Sequence, residues 1–215
     1  MPPKLVIFDC DGVLVDTEPV ANAVVAESLQ RYGLDLSVEE CTARYTGWIL
    51  RDIEAEVTAS GISLPANWRD EIYEEEFNRL RQGVEVVEGV FDILDRLETA
   101  NIPFCVASNG GLDKMAITLG QTGLMERFGG HLFSAYVLGI AKPDPALFLA
   151  ATKAFDVAPE DAVVIEDSLS GVTGAARAKM RCFAYAPHND PGPLAATGAV
   201  PFKRMEDLLR LLNLP

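Results

Sequence analysis

Asp9 and Asp11 close the apolar run Leu5-Val-Ile-Phe8 at spacing i, i+2, and Gly12 follows at once. In a strand that spacing turns both carboxylates the same way, and the glycine lets the chain turn without a steric cost. Two neighbouring acids repel and drive one pKa upward; a divalent cation between them removes the conflict. Asp-x-Asp alone reads equally well as a solvated acidic turn, but three further segments weigh against that. Phe104-Cys-Val-Ala-Ser108-Asn109-Gly110-Gly111 runs from a strand pattern through a small polar turn into a helix. Its hydroxyl and helix-start amides suit a phosphate, and they suit an ordinary N-cap too. Gly139-Ile-Ala-Lys142-Pro143-Asp144-Pro145 sets a lysine before a proline, whose ring fixes the local backbone. An ammonium so held can act as a point charge on a phosphoryl group and a neighbouring carboxylate, or it is a surface lysine at a helix start. Ala162-Val-Val-Ile165-Glu166-Asp167-Ser168 repeats the opening pattern, with Asp167 a metal ligand or, like Ser168, a helix cap. Asp9 and Asp167, with Glu166 in or beside the shell and a backbone carbonyl and water completing it, make a hard oxygen set. Such a set suits Mg²⁺ better than zinc.

These groups need a scaffold that brings strand ends together. Strand-like runs recur at Leu5–Phe8, Phe104–Ala107, Ala162–Ile165 and Cys182–Tyr185, separated by amphipathic segments such as Val90–Thr99, Ala146–Phe155 and Gly171–Lys179. Alternation of this kind predicts an α/β fold with a parallel sheet covered on both faces. From Thr17 to Gly83 the rhythm changes to helical periodicity alone, over Val20–Tyr32, Val38–Tyr45, Ile49–Ala59 and Trp68–Arg81. That stretch is too long for one crossover. It predicts an all-helical cap domain at 17–83, inserted into a core domain of 1–16 and 84–215 and hinged near Asp16 and Gly83–Gly89. An insertion after the first strand belongs over the carboxyl ends of the strands, where open α/β sheets bind ligands.

The 215 residues suffice for one core domain and a small insertion. A formal net charge of −14 sets the chain against nucleic acid, whose phosphates it would repel. No apolar run reaches the roughly 20 residues of a membrane helix. Cys10, Cys41, Cys105 and Cys182 form no C-x-x-C pair, and Cys105 and Cys182 fall in apolar runs that read as core. Without a signal-peptide pattern, a reduced, cytoplasmic setting is expected, as a monomer or weak homodimer.

Together and in this order, the four segments resemble the four motifs of the haloacid dehalogenase-like hydrolase superfamily, over essentially the whole chain. The resemblance implies a Rossmann-like doubly wound sheet with Asp9 as nucleophile and Asp11 as acid/base. It implies that Ser108 and Asn109 bind the phosphoryl group and that Lys142 steadies it. Asp9, the carbonyl of Asp11 and Asp167 would hold Mg²⁺, with Glu166 in or beside that shell. An acid at position 11 is needed to protonate an alkoxide but not to release halide, so a phosphatase is expected and a dehalogenase is not. Within the superfamily, Val13-Leu-Val-Asp16-Thr-Glu18 and the helical cap are similar to the sugar-phosphatase and beta-phosphoglucomutase branch. Arg44-Tyr-Thr-Gly47, Ser108-Asn-Gly-Gly-Leu-Asp-Lys114-Met115, Leu132-Phe-Ser-Ala-Tyr136, Lys142-Pro-Asp-Pro-Ala-Leu147 and Pro187-His188-Asn189 most resemble the 6-phosphogluconate phosphatases.

The expected substrate is a small phosphate ester of a sugar or sugar acid. Glu18, Arg51 and Lys114 are the candidate contacts to its remainder; Arg51 reads equally as an exposed helix arginine. Trp48 can stack on a ligand or belong to the cap's own core. A beta-phosphoglucomutase-type isomerase is the alternative, disfavoured by the acidic run Asp70–Glu76 where a bisphosphate would need cations. A non-catalytic sugar-phosphate-binding module is disfavoured by the presence of Asp9, Asp11, Lys142 and Asp167. The absence of lysine between Lys4 and Lys114 leaves no cap residue for a phosphonate-cleaving Schiff base.

Overall fold

The computed structural model describes residues 2–45, 48–188 and 190–214; Thr46, Gly47 and Asn189, which contribute to the resemblance above, lie outside the described residues. The chain divides into two compact units, Met1–Asp16 with Glu85–Pro215 and Thr17–Val84.

The larger unit is built on β1 (Leu5–Phe8), β4 (Phe104–Ser108), β5 (Leu132–Ser134), β6 (Ala162–Glu166), β7 (Arg181–Tyr185) and β8 (Val200–Phe202). They form one parallel sheet in the order β5-β4-β1-β6-β7-β8. Strand order reverses at β1, so the carboxyl ends of β1, β4 and β6 border the crevice of a doubly wound sheet. All four residues of β1 are buried, as an unbroken apolar run in a sheet covered on both faces requires. Leu5 and Ile7 pack with Leu147 and Phe148 of α9 (Ala146–Ala154) and with Val172 and Ala175 of α10 (Leu169–Arg177). Phe8, the next residue, projects to the other face and meets Phe104 and Phe128 edge-on, at 6.5 and 6.4 Å between ring centres. The remaining helices of this unit are α5 (Val90–Thr99), α6 (Leu112–Gln121), α7 (Leu124–Phe128), α8 (Ala135–Leu138), α11 (Gly192–Ala195) and α12 (Asp207–Leu211). The sheet has two more strands than sequence periodicity shows. Both extra strands, β5 and β8, are three-residue edges, too short to display a period. A separate antiparallel pair, β2 (Val15–Asp16) with β3 (Glu85–Val86), carries the chain out of this unit and back into it.

The smaller unit is helical: α1 (Glu18–Arg31), α2 (Val38–Tyr45), α3 (Leu50–Ala59) and α4 (Trp68–Leu80). It has its own core, in which Val24, Val25, Ala26 and Leu29 of α1 meet Cys41, Ile53, Val57, Trp68 and Ile72. Trp68 is fully buried, and its Nε1–H donates to the equally buried Ser28 Oγ at 2.9 Å. A capping box starts α2: the Glu40 N–H donates to Ser37 Oγ, and the Ser37 N–H donates back to Glu40 Oε2. Arg79 of α4 grips Glu27 of α1 through two hydrogen bonds. Trp48 differs from Trp68: it is about half exposed, 49%, and stands edge-on to Tyr45. Among the described residues no helix is long and apolar enough to cross a membrane, and all four cysteines are buried free thiols.

Candidate active site

Asp9 leaves the end of β1 with its backbone N–H donated to Ile165 O on β6 at 2.9 Å, which fixes the carboxylate between two strands. The chain then folds back tightly, Leu14 N–H to Cys10 O and Gly12 N–H to Val15 O. Gly12 has φ +76°, and a Cβ there would lie 2.0 Å from Asp167 Oδ2. Glycine is therefore needed twice over: for the backbone conformation, and to admit the Asp167 carboxylate against the main chain.

Lys142 joins the strands chemically. It is 6% exposed, and its Nζ donates to Asp9 Oδ1 and, at 2.6 Å, to Glu166 Oε1. Its backbone N–H donates to Asn109 Oδ1 at 2.9 Å. Glu166 is fully buried at the end of β6, and its second oxygen accepts from the N–H of Asp167, the N–H of Ser168 and Ser168 Oγ. The close approach of α10 to this carboxylate depends on Gly171, where a Cβ would fall 1.8 Å from it. Ser168 caps α10 by accepting from the Gly171 N–H.

Ser108 ends β4, buried, and its Oγ accepts from the Gly110 N–H at 2.9 Å. Gly110 lies in reach of three sequence-predicted residues at once: Ser108, Asp11 and Lys114 all come within 3.7 Å of the position its Cβ would take. The following helix α6 begins at Gly111 without a side-chain N-cap, and the Lys114 N–H of its first turn donates to Asp113 Oδ1 at 2.9 Å. Lys114, on the first turn of α6, pairs with Asp11 at 3.1 Å. Asp9, Asp11, Ser108, Asn109, Lys114, Lys142, Glu166 and Asp167 thus belong to one constellation at the strand ends. Glu18 and Arg51 belong to the helical unit. Glu18 lines a cavity there, whereas Arg51 is largely exposed and paired with its neighbour Asp52.

Burial pushes the Asp9 carboxyl up to about 7; the Lys142 charge opposes this, while Glu166 and Asp11 add to it. For Lys142, burial disfavours the ammonium, but the charges of Asp9 and Glu166 outweigh it and hold the group above the usual lysine value. The Cys10 thiol, buried beside Asp11 and Asp9, is driven well up and stays protonated. A buried carboxylate with a raised pKa beside other acids is what a divalent cation would reverse. The donors fit such an ion, since oxygens of Asp9, Glu166 and Asp167 all lie within 4.8 Å of one another, and the set is all-oxygen as Mg²⁺-type cations prefer.

Residues 3–179 match the sequence profile described as haloacid dehalogenase-like hydrolase. The chain belongs to the haloacid dehalogenase-like hydrolase family. It is 34% identical to the 6-phosphogluconate phosphatase of Escherichia coli K12, over 87% of this chain and 86% of that one. Among solved structures it is similar to a haloacid dehalogenase-like protein of unknown function from Agrobacterium tumefaciens, with TM-score 0.88, 33% identity and coverage of 98% and 97%. A hydrolase of the family from Deinococcus radiodurans, solved with bound phosphate and sodium, superposes with TM-score 0.85 at 28% identity, covering 99% of this hydrolase and 96% of that chain.

The sequence singled out Glu166 as a metal candidate but gave no sign of its four hydrogen bonds or of its contact with Lys142. Gly171 was missed, although Gly three residues after a Ser cap, against a buried acid, is a signal of close helix approach. Lys114, a candidate contact to the sugar, pairs with Asp11, a contact that the sequence did not indicate.

Proposed function

We propose that this hydrolase is a divalent-cation-dependent phosphatase that cleaves a small phosphorylated carbohydrate through an aspartyl-phosphate on Asp9. The observation that carries the reading is the buried Lys142 ammonium held between Asp9 and Glu166 at the sheet's switch point. That arrangement fixes one carboxylate oxygen and leaves the other to attack phosphorus. The phosphoryl transfer templates of other folds also rest on positioning and charge neutralisation rather than on elaborate covalent chemistry.

Asp9 attacks phosphorus, the P–O ester bond breaks, and the departing alkoxide takes a proton from Asp11. Water then attacks the acyl phosphate, Asp11 accepts its proton, and phosphate leaves with the Asp9 carboxylate restored. Ser108 Oγ and the start of α6 receive the phosphoryl oxygens, and Asn109 fixes the Lys142 backbone while its amide remains for the same oxygens. Lys114 orients the Asp11 carboxyl. Asp9, Asp167 and the Asp11 carbonyl would hold Mg²⁺, which supplies charge neutralisation of the transferring group. Glu166 stands beside that shell, since both its oxygens already accept hydrogen bonds.

Similarity to a 6-phosphogluconate phosphatase supports a sugar or sugar-acid phosphate as substrate. The helical unit gives little support to a mutase, because Arg31, Arg44, Arg51, Arg69 and Arg79 are all paired with carboxylates of that unit. The test is phosphate release with Mg²⁺ across a sugar-phosphate panel that includes 6-phosphogluconate and beta-glucose 1-phosphate, beside a coupled assay for glucose 6-phosphate. Selective phosphate release supports the reading; isomer conversion with little free phosphate overturns it.

A further inference from the structure

The turn at 108–111, which receives the phosphoryl group in the proposed reaction, ends in two adjacent glycines, the residue type with the widest choice of backbone conformation. A turn of that composition keeps one shape only where it is tied down. Two ties are the Gly110 N–H, donated to Ser108 Oγ at 2.9 Å, and Asn109 Oδ1, which accepts from the Lys142 N–H at 2.9 Å. A third comes from Ser134, which takes no part in the bond-making steps. Ser134 ends β5 as the partner of Ser108 in the register of β4 with β5. It is 3% exposed, and its Oγ–H donates to Gly110 O at 2.7 Å.

This bond governs more than one carbonyl. The Gly110–Gly111 peptide is trans, so the Gly111 N–H points opposite to the Gly110 carbonyl in one plane. Ser134 therefore sets the direction of the Gly111 N–H as well, turning it away from Ser134 itself. With the Gly110 N–H held by Ser108, the peptide groups on both sides of the Gly110 Cα are fixed. Ser108 Oγ accepts in that pair, which leaves its own proton to donate to a phosphoryl oxygen. Capping of α8 explains less of Ser134. A cap needs only an acceptor, and the bond that Ser134 Oγ accepts from the Val137 N–H is 3.4 Å, long for such a contact, whereas its proton makes the shorter one. Helix α8 has four residues, of which Tyr136, Val137 and Leu138 are exposed, so little packing depends on its cap.

We propose that Ser134 is a positioning residue for phosphoryl transfer: its hydroxyl proton holds the Gly110–Gly111 peptide and so fixes Ser108 and the turn's amides against the phosphoryl oxygens. The inference rests on the reading of Ser108 and Asn109 as phosphoryl ligands. It concerns the phosphoryl half of the substrate only, so its effect is the same whichever alcohol leaves.

The test compares the parent with Ser134→Ala, Ser108→Ala and the double variant, in Mg²⁺, at a temperature where melts show all four folded. Ser134→Ala should lower kcat/KM about tenfold to a hundredfold, the scale of a small misplacement of reacting groups. The loss should be equal for a sugar phosphate and an activated aryl phosphate, and inorganic phosphate should bind correspondingly more weakly by calorimetry. Ser134→Cys keeps the side chain's approximate size with a much weaker donor; the same loss there assigns the effect to the proton rather than to packing. Because Ser134 acts through the turn, it should cost little further in the Ser108→Ala background. Parent-like kinetics and phosphate affinity in Ser134→Ala, a loss confined to the sugar phosphate, or losses that simply add in the double variant would each overturn the proposal. Turnover by the parent tests the phosphatase reading separately. A parent that binds phosphate but cleaves no ester fails that reading, and phosphate affinity still decides the role of Ser134; a parent without phosphate affinity overturns both.

Discussion

Gly171→Ala reverses the usual effect of adding a methyl group to a helix. Position 171 is the third residue of α10, and alanine there should gain about 1 kcal/mol of helix propensity. The new Cβ, however, would lie 1.8 Å from the Glu166 carboxylate. That carboxylate cannot swing aside at little cost: it is fully buried, binds the Lys142 ammonium at 2.6 Å and accepts three further hydrogen bonds. Breaking a buried ion pair on one side costs about 3–5 kcal/mol. The net loss is about 2–4 kcal/mol after the propensity gain, or roughly 5–15 °C in Tm for a chain of this size. Gly120→Ala is the control. It also lies within a helix, α6, but its Cβ would meet nothing within 4 Å, so about 0.5–1 kcal/mol of stabilisation is expected. Thermal melts and phosphate release for both variants decide the matter. A Gly171→Ala protein as stable and active as the parent would refute the view that Glu166 is locked in place to hold Lys142.

Asp11→Asn should cut turnover of sugar phosphates by about 10²–10⁴, the usual contribution of a general acid, and spare an activated aryl phosphate, whose leaving group needs no proton. Equal losses on both would count against the acid role. Ser28→Ala strips the buried Trp68 Nε1–H of its acceptor and should cost about 1–3 kcal/mol in urea unfolding; a loss below about 0.5 kcal/mol would contradict it. Glu27 is held below its usual 4.5 chiefly by its hydrogen bonds to Arg79. A depressed carboxylate stabilises the fold above its unfolded pKa and loses that contribution as pH falls through the lower folded value. The stability gap between parent and Glu27→Gln should therefore be full at neutral pH and close below 4.5; a gap that widens with acid would be inconsistent. Tyr45 gives the opposite limb. Burial, with its hydrogen bond to Glu56, raises it from 10.0 to about 12, so Tyr45→Phe should differ from the parent below about pH 10 and converge with it toward pH 12.

The strands that carry chemistry were legible because each is a short, fully buried apolar run broken by an acid or a small polar residue. β1 and β6 are the clearest cases, with every residue buried in the structure. β5 and β8 were not legible, since three residues at a sheet edge carry neither a period nor a continuous apolar run. Trp48 and Trp68 show why position in sequence could not settle a role. Both stand at helix starts, yet one fills the helical unit's core and the other flanks its cavity. Pairing within the site was equally hidden. Lys114 and Asp11 are far apart in sequence, and only the return of β4 beside β1 brings α6 and its lysine to the acid. The need for glycine at 12 and 171 arises from carboxylates of residues 167 and 166, contacts that no local pattern encodes.

The most direct measurement of the central claim is phosphate release with Mg²⁺ by the parent and by Asp9→Asn, side by side on the ester that the panel selects. The account predicts release by the parent and none by Asp9→Asn, with a cooperative thermal melt of the variant as the check that it is folded. Substantial phosphate release by Asp9→Asn would show that Asp9 is not the nucleophile.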